Sequence, residues 1–155
     1  MKKILFCLAF LSLFVITGCN KEYKEVVTTC TLTSNNTASN YKLESTYEIY
    51  SKNDEVFKAV TEEVVTSSST TILDYFEDYL SETYKKANDT YGGYTYDISN
   101  KDGKVISKTT INYDEMDLDQ YVEDNTVIKQ YLNKNGKLTV EGMKKIYTSL
   151  GAECE

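Results

Sequence analysis

Between Tyr41 and Ala87 the sequence changes its period once, and that change limits the fold more than any other feature. Tyr41, Leu43, Tyr47 and Ile49 alternate with Lys42, Glu44, Thr46 and Glu48, so a strand here buries one face and wets the other. After the turn residues Lys52-Asn53-Asp54, Val56 to Thr66 continue as a second long strand with apolar residues at both parities. The two runs predict a hairpin, with a bulge where the parity blurs. From Ile72 the period is helical: Ile72, Leu73, Phe76, Tyr79, Leu80, Tyr84 and Ala87 make one stripe, and Asp74, Glu77, Asp78, Ser81, Glu82 and Lys85 face away. The hydroxyls of Ser67 to Thr71 offer N-caps, Asp74 follows Thr71 at capping-box spacing, and Lys85-Lys86 suit the C-terminal end of the dipole. The helix is expected to stop near Asn88, ahead of Gly92-Gly93.

The flanking segments repeat this grammar. Glu25 to Thr33 is β-branched, with Val26, Thr28, Cys30 and Leu32 on one side of an N-terminal strand, and the polar run Ser34 to Asn40 follows as a turn. Tyr94, Tyr96 and Ile98 alternate with Thr95, Asp97 and Ser99, and Asp102-Gly103 leads into Val105 to Tyr113, a strong hairpin signal. The acidic stretch from Asp114 to Asn125 carries one short helical turn around Leu118 and Tyr121. Val140, Met143, Ile146 or Tyr147, and Leu150 then trace a second amphipathic helix, with Gly151 placed as its C′ residue. The expected fold is α+β: an antiparallel sheet of two hairpins plus an N-terminal strand, packed by two amphipathic helices.

The first nineteen residues set the address. Lys2 and Lys3 precede an apolar run from Ile4 to Ile16, and Thr17-Gly18 are small residues before Cys19, which is the pattern of a secretory signal too short to span a bilayer as a helix. Ile16-Thr17-Gly18-Cys19 looks like a bacterial lipobox, so residues 1–18 are expected to be removed and Cys19 to carry diacylglycerol. Two acyl chains, at about 0.8 kcal/mol per buried CH₂, hold a protein on a membrane where one does not. Residues 19–25 then form a lipidated tether, and residues 26–155 one extracytoplasmic domain on the outer face of the cell membrane.

Composition narrows the chemistry. Loss of Lys2 and Lys3 leaves about 15 basic against 24 acidic residues, and such an acidic domain disfavours nucleic acid and anionic lipid headgroups as partners. The chain has no His, Trp, Pro or Arg and is rich in Tyr, Asn, Lys and Thr, a bias that an AT-rich coding sequence explains. Without His there is no imidazole base or metal ligand, and without Arg no bidentate anion clamp. Cys7 leaves with the signal and Cys19 takes lipid, so Cys30 and Cys154 remain to form a disulfide in an oxidising compartment.

Few motifs carry chemistry. Asn133-Lys-Asn135-Gly136-Lys-Leu138 resembles the middle of an EF-hand loop, but its first and twelfth positions are Tyr131 and Gly142, where calcium needs carboxylates. The run Asp114, Glu115, Asp117, Asp119, Glu123 and Asp124 is a better cation candidate, and a solvated surface is the simpler reading of it. No metal and no cofactor is expected. The fourteen tyrosines carry more weight, because a tyrosine offers a flat apolar face and a hydroxyl at small entropic cost. Tyr75 and Tyr79 on the helix, with Tyr91, Tyr94 and Tyr96 beyond it, are the candidate binding patch.

The run Tyr47 to Val65 resembles the YehR-like family of small bacterial lipoproteins. So do the helix ending in Tyr84-Lys85, Gly93 before a Tyr-rich strand, INYDEMDLDQY from Ile111, and the closing helix into Leu150-Gly151-Ala152. The resemblance covers nearly all of the chain after the signal. It implies an α+β lipoprotein and brings no catalytic residues.

The function expected is a non-catalytic, membrane-anchored binding or accessory module, its ligand or envelope-protein partner unknown. A structural or protein-interaction lipoprotein is the alternative, and a weak carboxylate-dependent hydrolase, needing two clefted acids, comes third.

Overall fold

The computed structural model describes residues 24–155. The expected signal segment 1–18, the expected lipidation site Cys19 and the expected tether as far as residue 23 lie outside the described residues. β1 (Val26–Asn36), β2 (Tyr41–Lys52) and β3 (Glu55–Thr66) form a meander, followed by helix α1 (Thr70–Tyr91) and the hairpin β4 (Tyr94–Lys101) and β5 (Lys104–Asn112). Then come α2 (Leu118–Asp124), a 3₁₀ turn (Thr126–Tyr131), α3 (Val140–Ser149) and the two-residue β6 (Glu153–Cys154). The six strands make one antiparallel sheet in the order β4-β5-β3-β2-β1-β6.

Local sequence explains the corners. Asn53 and Asp54 have φ of 52° and 67°, and Asp102 and Gly103 have 53° and 74°. Two successive positive φ angles match the right-handed strand twist, so both tight hairpins turn on Asn, Asp or Gly. The parity blur in β3 is a bulge: Tyr50 faces Lys58 but Ser51 faces Val56, leaving Phe57 as the extra residue. At Gly93, φ is 74° and a Cβ would lie 2.6 Å from the Asn112 carbonyl oxygen. A side chain there would push β4 away from the end of β5.

The helices cover one face of the sheet in two patches. α1 lies over Val65 and Val105 with Leu73 and Leu80, joined by Tyr41, Leu43, Phe76, Tyr84 and Ile98. α2, the 3₁₀ turn and α3 cover a second cluster that includes Cys30, Tyr47, Ile49, Ala59, Tyr113, Met116, Val122, Met143 and Tyr147. The opposite face carries the even-numbered residues of β2, Lys42, Glu44, Thr46 and Glu48, none of them buried. β6 returns to the far edge, where Cys154 pairs in register with Cys30, their Cα atoms 4.0 Å apart, and the two form a disulfide.

Several expectations change in detail. α1 continues to Tyr91 instead of ending near Asn88, so Lys85 and Lys86 sit short of its last turn. The capping box does not form: Ser69 occupies the N-cap position without a side-chain bond, and Asp74 accepts from Asn100 on β4. Tyr79 leaves the buried stripe for solvent and Glu77 turns inward to accept from Asn100, because β4 approaches α1 from that side. In α3, Met143 and Tyr147 are buried while Leu150 is exposed.

Candidate binding site

Cross-strand register places a polar row between the two apolar clusters. On the covered face Ser45 of β2 is opposite Glu63 of β3, which is opposite Ser107 of β5. In the next row Tyr47, Thr61 and Thr109 are aligned the same way. Rows of Ser, Thr and Glu on a buried face are costly unless partnered. Here the hydroxyls of Ser45, Ser107 and Thr109 are fully buried and find no hydrogen-bond partner among the described residues.

Glu63 is the charged member of this seam. Its Oε2 accepts a hydrogen bond from the Tyr84 hydroxyl at 2.8 Å, and among the described residues no lysine pairs with it. Burial pushes its carboxyl above the usual carboxylate range, opposed by the Tyr84 hydrogen bond. The Tyr84 hydroxyl is itself pushed up, first by burial and then by the Glu63 charge, with the Thr109 and Ser107 hydroxyls working the other way.

Above the seam α1 and α3 stand apart, and a cavity of about 220 Å³ opens between them. Glu63 and Thr61 form its floor, Tyr84 one wall, and Tyr47 and Tyr147 the other, with Tyr113 and Tyr121 at the α2 end and Ile146 and Leu150 at the α3 end. Tyr47 and Tyr147 stack with ring centroids 4.3 Å apart. Burial raises both of their hydroxyls, and for Tyr47 the Ser45 hydroxyl opposes the shift while the Glu63 charge adds to it. Tyr113 is raised well above the ordinary tyrosine value, chiefly by burial. The walls are therefore neutral phenols, and Glu63 is the one carboxylate in the lining among the described residues.

The five tyrosines singled out from the sequence separate into three places along α1. Tyr75 and Tyr79 stack on its exposed side, 6.0 Å apart, and border an external groove of about 360 Å³ with Tyr41, Ile72 and Phe76. Tyr96 leans on Tyr84 at 5.8 Å. Tyr91 meets Tyr121 edge-on at 5.2 Å and donates to Asp124, while Tyr94 is partly buried against the second cluster.

The acidic stretch is dispersed. Asp114 pairs with Lys137, Asp117 caps α2 by accepting from the Gln120 backbone, and Asp124 holds Tyr91. The EF-hand-like loop is a tight turn in which Asn133 Oδ1 accepts from the backbones of Asn135 and Lys137 and its amide donates to Glu55. Among the described residues no group of three or more potential metal ligands comes together, and no helix is long and apolar enough to cross a membrane.

These elements define an α+β domain, an open antiparallel sheet covered on one face by helices. Two solved bacterial proteins share that fold. The NMR structure of a protein from Streptococcus pneumoniae TIGR4 matches with a TM-score of 0.52 at 14% identity, covering 100% of this chain and 99% of that one. The NMR structure of the E. coli YehR protein matches with a TM-score of 0.53 at 16% identity, covering 86% of this chain and 92% of that one. At these identities the likeness is one of fold, and the fold is YehR-like. No family model and no curated protein sequence matches the chain.

Proposed function

We propose that the protein is a lipid-anchored, extracytoplasmic binding module whose ligand site is the tyrosine-walled cavity between α1 and α3. The observation that carries this reading is the conjunction of the cavity with the polar seam. The partly buried Glu63 carboxylate lies on the floor of a space open to a small molecule, and three buried hydroxyls without a hydrogen-bond partner share its strand rows, at a place where an apolar row would stabilise the fold more. A concave, mostly apolar pocket with a few convergent polar groups is the usual form of a small-ligand site. The signal pattern ending in Cys19 supports attachment to the outer face of the membrane through diacylglycerol, with the domain held beside it.

A second reading, a lipoprotein that grips an envelope protein without a small ligand, draws on Tyr75 and Tyr79. They are 62% and 52% exposed and stacked beside an apolar groove on the outer side of α1.

The test is thermal unfolding of the purified chain, followed by circular dichroism, against sugars, amines, short peptides and envelope polymers. A Thr61→Leu variant that fills the cavity floor serves as the control. A dose-dependent rise in Tm that the variant lacks supports the cavity. A rise that survives Thr61→Leu and is lost in Tyr75→Ser/Tyr79→Ser moves the function to the external groove. Membrane attachment is checked separately: Cys19→Ser releases the protein to the soluble fraction, and a variant that stays with the membrane contradicts the anchor.

A further inference from the structure

The cavity has a charge pattern as well as a shape. Its walls and its α2 end are tyrosines, its α3 end is aliphatic, and its floor holds Glu63 with a single donor, the Tyr84 hydroxyl at 2.8 Å. Among the described residues no lysine lines it, so an anion entering would meet a carboxylate and no cation. A neutral polyol would satisfy hydroxyls but leave the Glu63 charge uncompensated. An organic cation supplies the missing charge and lays its methyl or methylene groups on the aromatic faces, whose negative quadrupoles attract it. Resting on the binding-module reading above, we infer that the cavity between α1 and α3 binds a small alkylammonium ion, seated among Tyr47, Tyr84 and Tyr147 with its charge toward Glu63.

Size narrows the class. At about 30 Å³ for each water-sized group, a cavity of about 220 Å³ holds roughly seven non-hydrogen atoms. That matches the size of a quaternary ammonium alcohol or a short primary amine.

The test is isothermal titration of the purified full-length chain with choline and, in parallel, with 3,3-dimethylbutan-1-ol. This neutral alcohol has the same outline, with carbon in place of nitrogen. The expected result is saturable choline binding at least about tenfold tighter than that of the alcohol, a margin typical of a desolvated cation on aromatic rings. Glu63→Gln should weaken choline by a similar factor and leave the alcohol unchanged. Tyr79→Ser, outside the cavity, should leave both unchanged. Equal binding of the two probes, abolished by Thr61→Leu, overturns the cation assignment and keeps the cavity as a ligand site. Binding of neither choline nor butylamine to a folded protein overturns the alkylammonium assignment, and the wider ligand panel then decides the binding module on its own. Choline binding that survives Glu63→Gln undiminished also overturns it, and the circular dichroism of that variant shows that the comparison is made on a folded chain.

Discussion

The hydroxyl of Tyr84, in the C-terminal half of α1, donates to the Glu63 carboxylate in the centre of the sheet at 2.8 Å. This bond joins the largest helix to the middle strand at the boundary between the two apolar clusters. Tyr84→Phe keeps the ring but leaves a largely buried carboxylate without its donor, so a loss of about 1.5 to 3 kcal/mol is expected near pH 7. Urea unfolding measures it, and the loss should shrink when Glu63 is already Gln.

Glu63 should make stability fall as pH rises through the weakly acidic range. Its carboxyl is raised above the unfolded value of 4.5 by burial, so between the two values the folded state binds more protons than the unfolded one. Stability then declines with increasing pH, and the penalty is complete above the folded pKa. The titratable groups that share its cavity are Tyr84 from α1, Tyr47 from β2, Tyr113 after β5, Tyr121 from α2 and Tyr147 from α3, all raised and therefore neutral there. Glu63→Gln is expected to raise Tm at pH 7 and to change it little at pH 4.

A second pH limit lies on the alkaline side. Burial raises the hydroxyls of Tyr84, Tyr94, Tyr113, Tyr121 and Tyr147 above the ordinary 10.0. The folded state keeps these protons as the unfolded chain begins to lose them, so stability drops with each step above pH 10. Absorbance at 295 nm should show the exposed tyrosines ionising first and a cooperative second phase coincident with loss of circular dichroism. A single smooth titration with no unfolding step would contradict the burial of these rings.

Cys30 and Cys154 are 124 residues apart in sequence, and β6 has only two residues to hold the C-terminus on the sheet. Replacing both by Ala should cost about 4 to 5 kcal/mol on the chain-entropy account of long loops. Amide exchange should quicken at Glu153 and at Glu155, whose N–H bonds the Thr29 carbonyl. Equal urea midpoints with and without reductant would contradict this.

The layers of the fold were legible in the sequence because they rest on local periods. Alternation at Tyr41 to Ile49 located β2, Asp102-Gly103 located the second hairpin, and the spacing of Leu73, Leu80 and Tyr84 located α1. Details that depend on a neighbour were not legible: Tyr79 is exposed and Glu77 turned inward because of where β4 lies, which no window along α1 contains. The candidate site was hidden for the same reason. Glu62 and Glu63 are adjacent acids in a strand whose parity is blurred by the bulge at Phe57, and only pairing with Ser45 and Ser107 shows that Glu63 is the inward one. The tyrosines of the cavity come from β2, α1, the chain after β5, α2 and α3, so proximity in sequence, which grouped Tyr91, Tyr94 and Tyr96, pointed elsewhere. One signal was available: Thr61 and Glu63 share parity with Val65, placing polar residues on a face that Val65 marks as buried.

The most direct measurement of the account is a pH titration of the Glu63 side-chain carboxyl carbon by NMR, in the free protein and with saturating choline. The account predicts a midpoint above that of the other glutamates in the free protein, and a fall when the cation arrives, because a nearby positive charge favours the ionised form. A Glu63 that titrates with the other glutamates and is unmoved by choline would contradict both its burial in the seam and its role in the cavity.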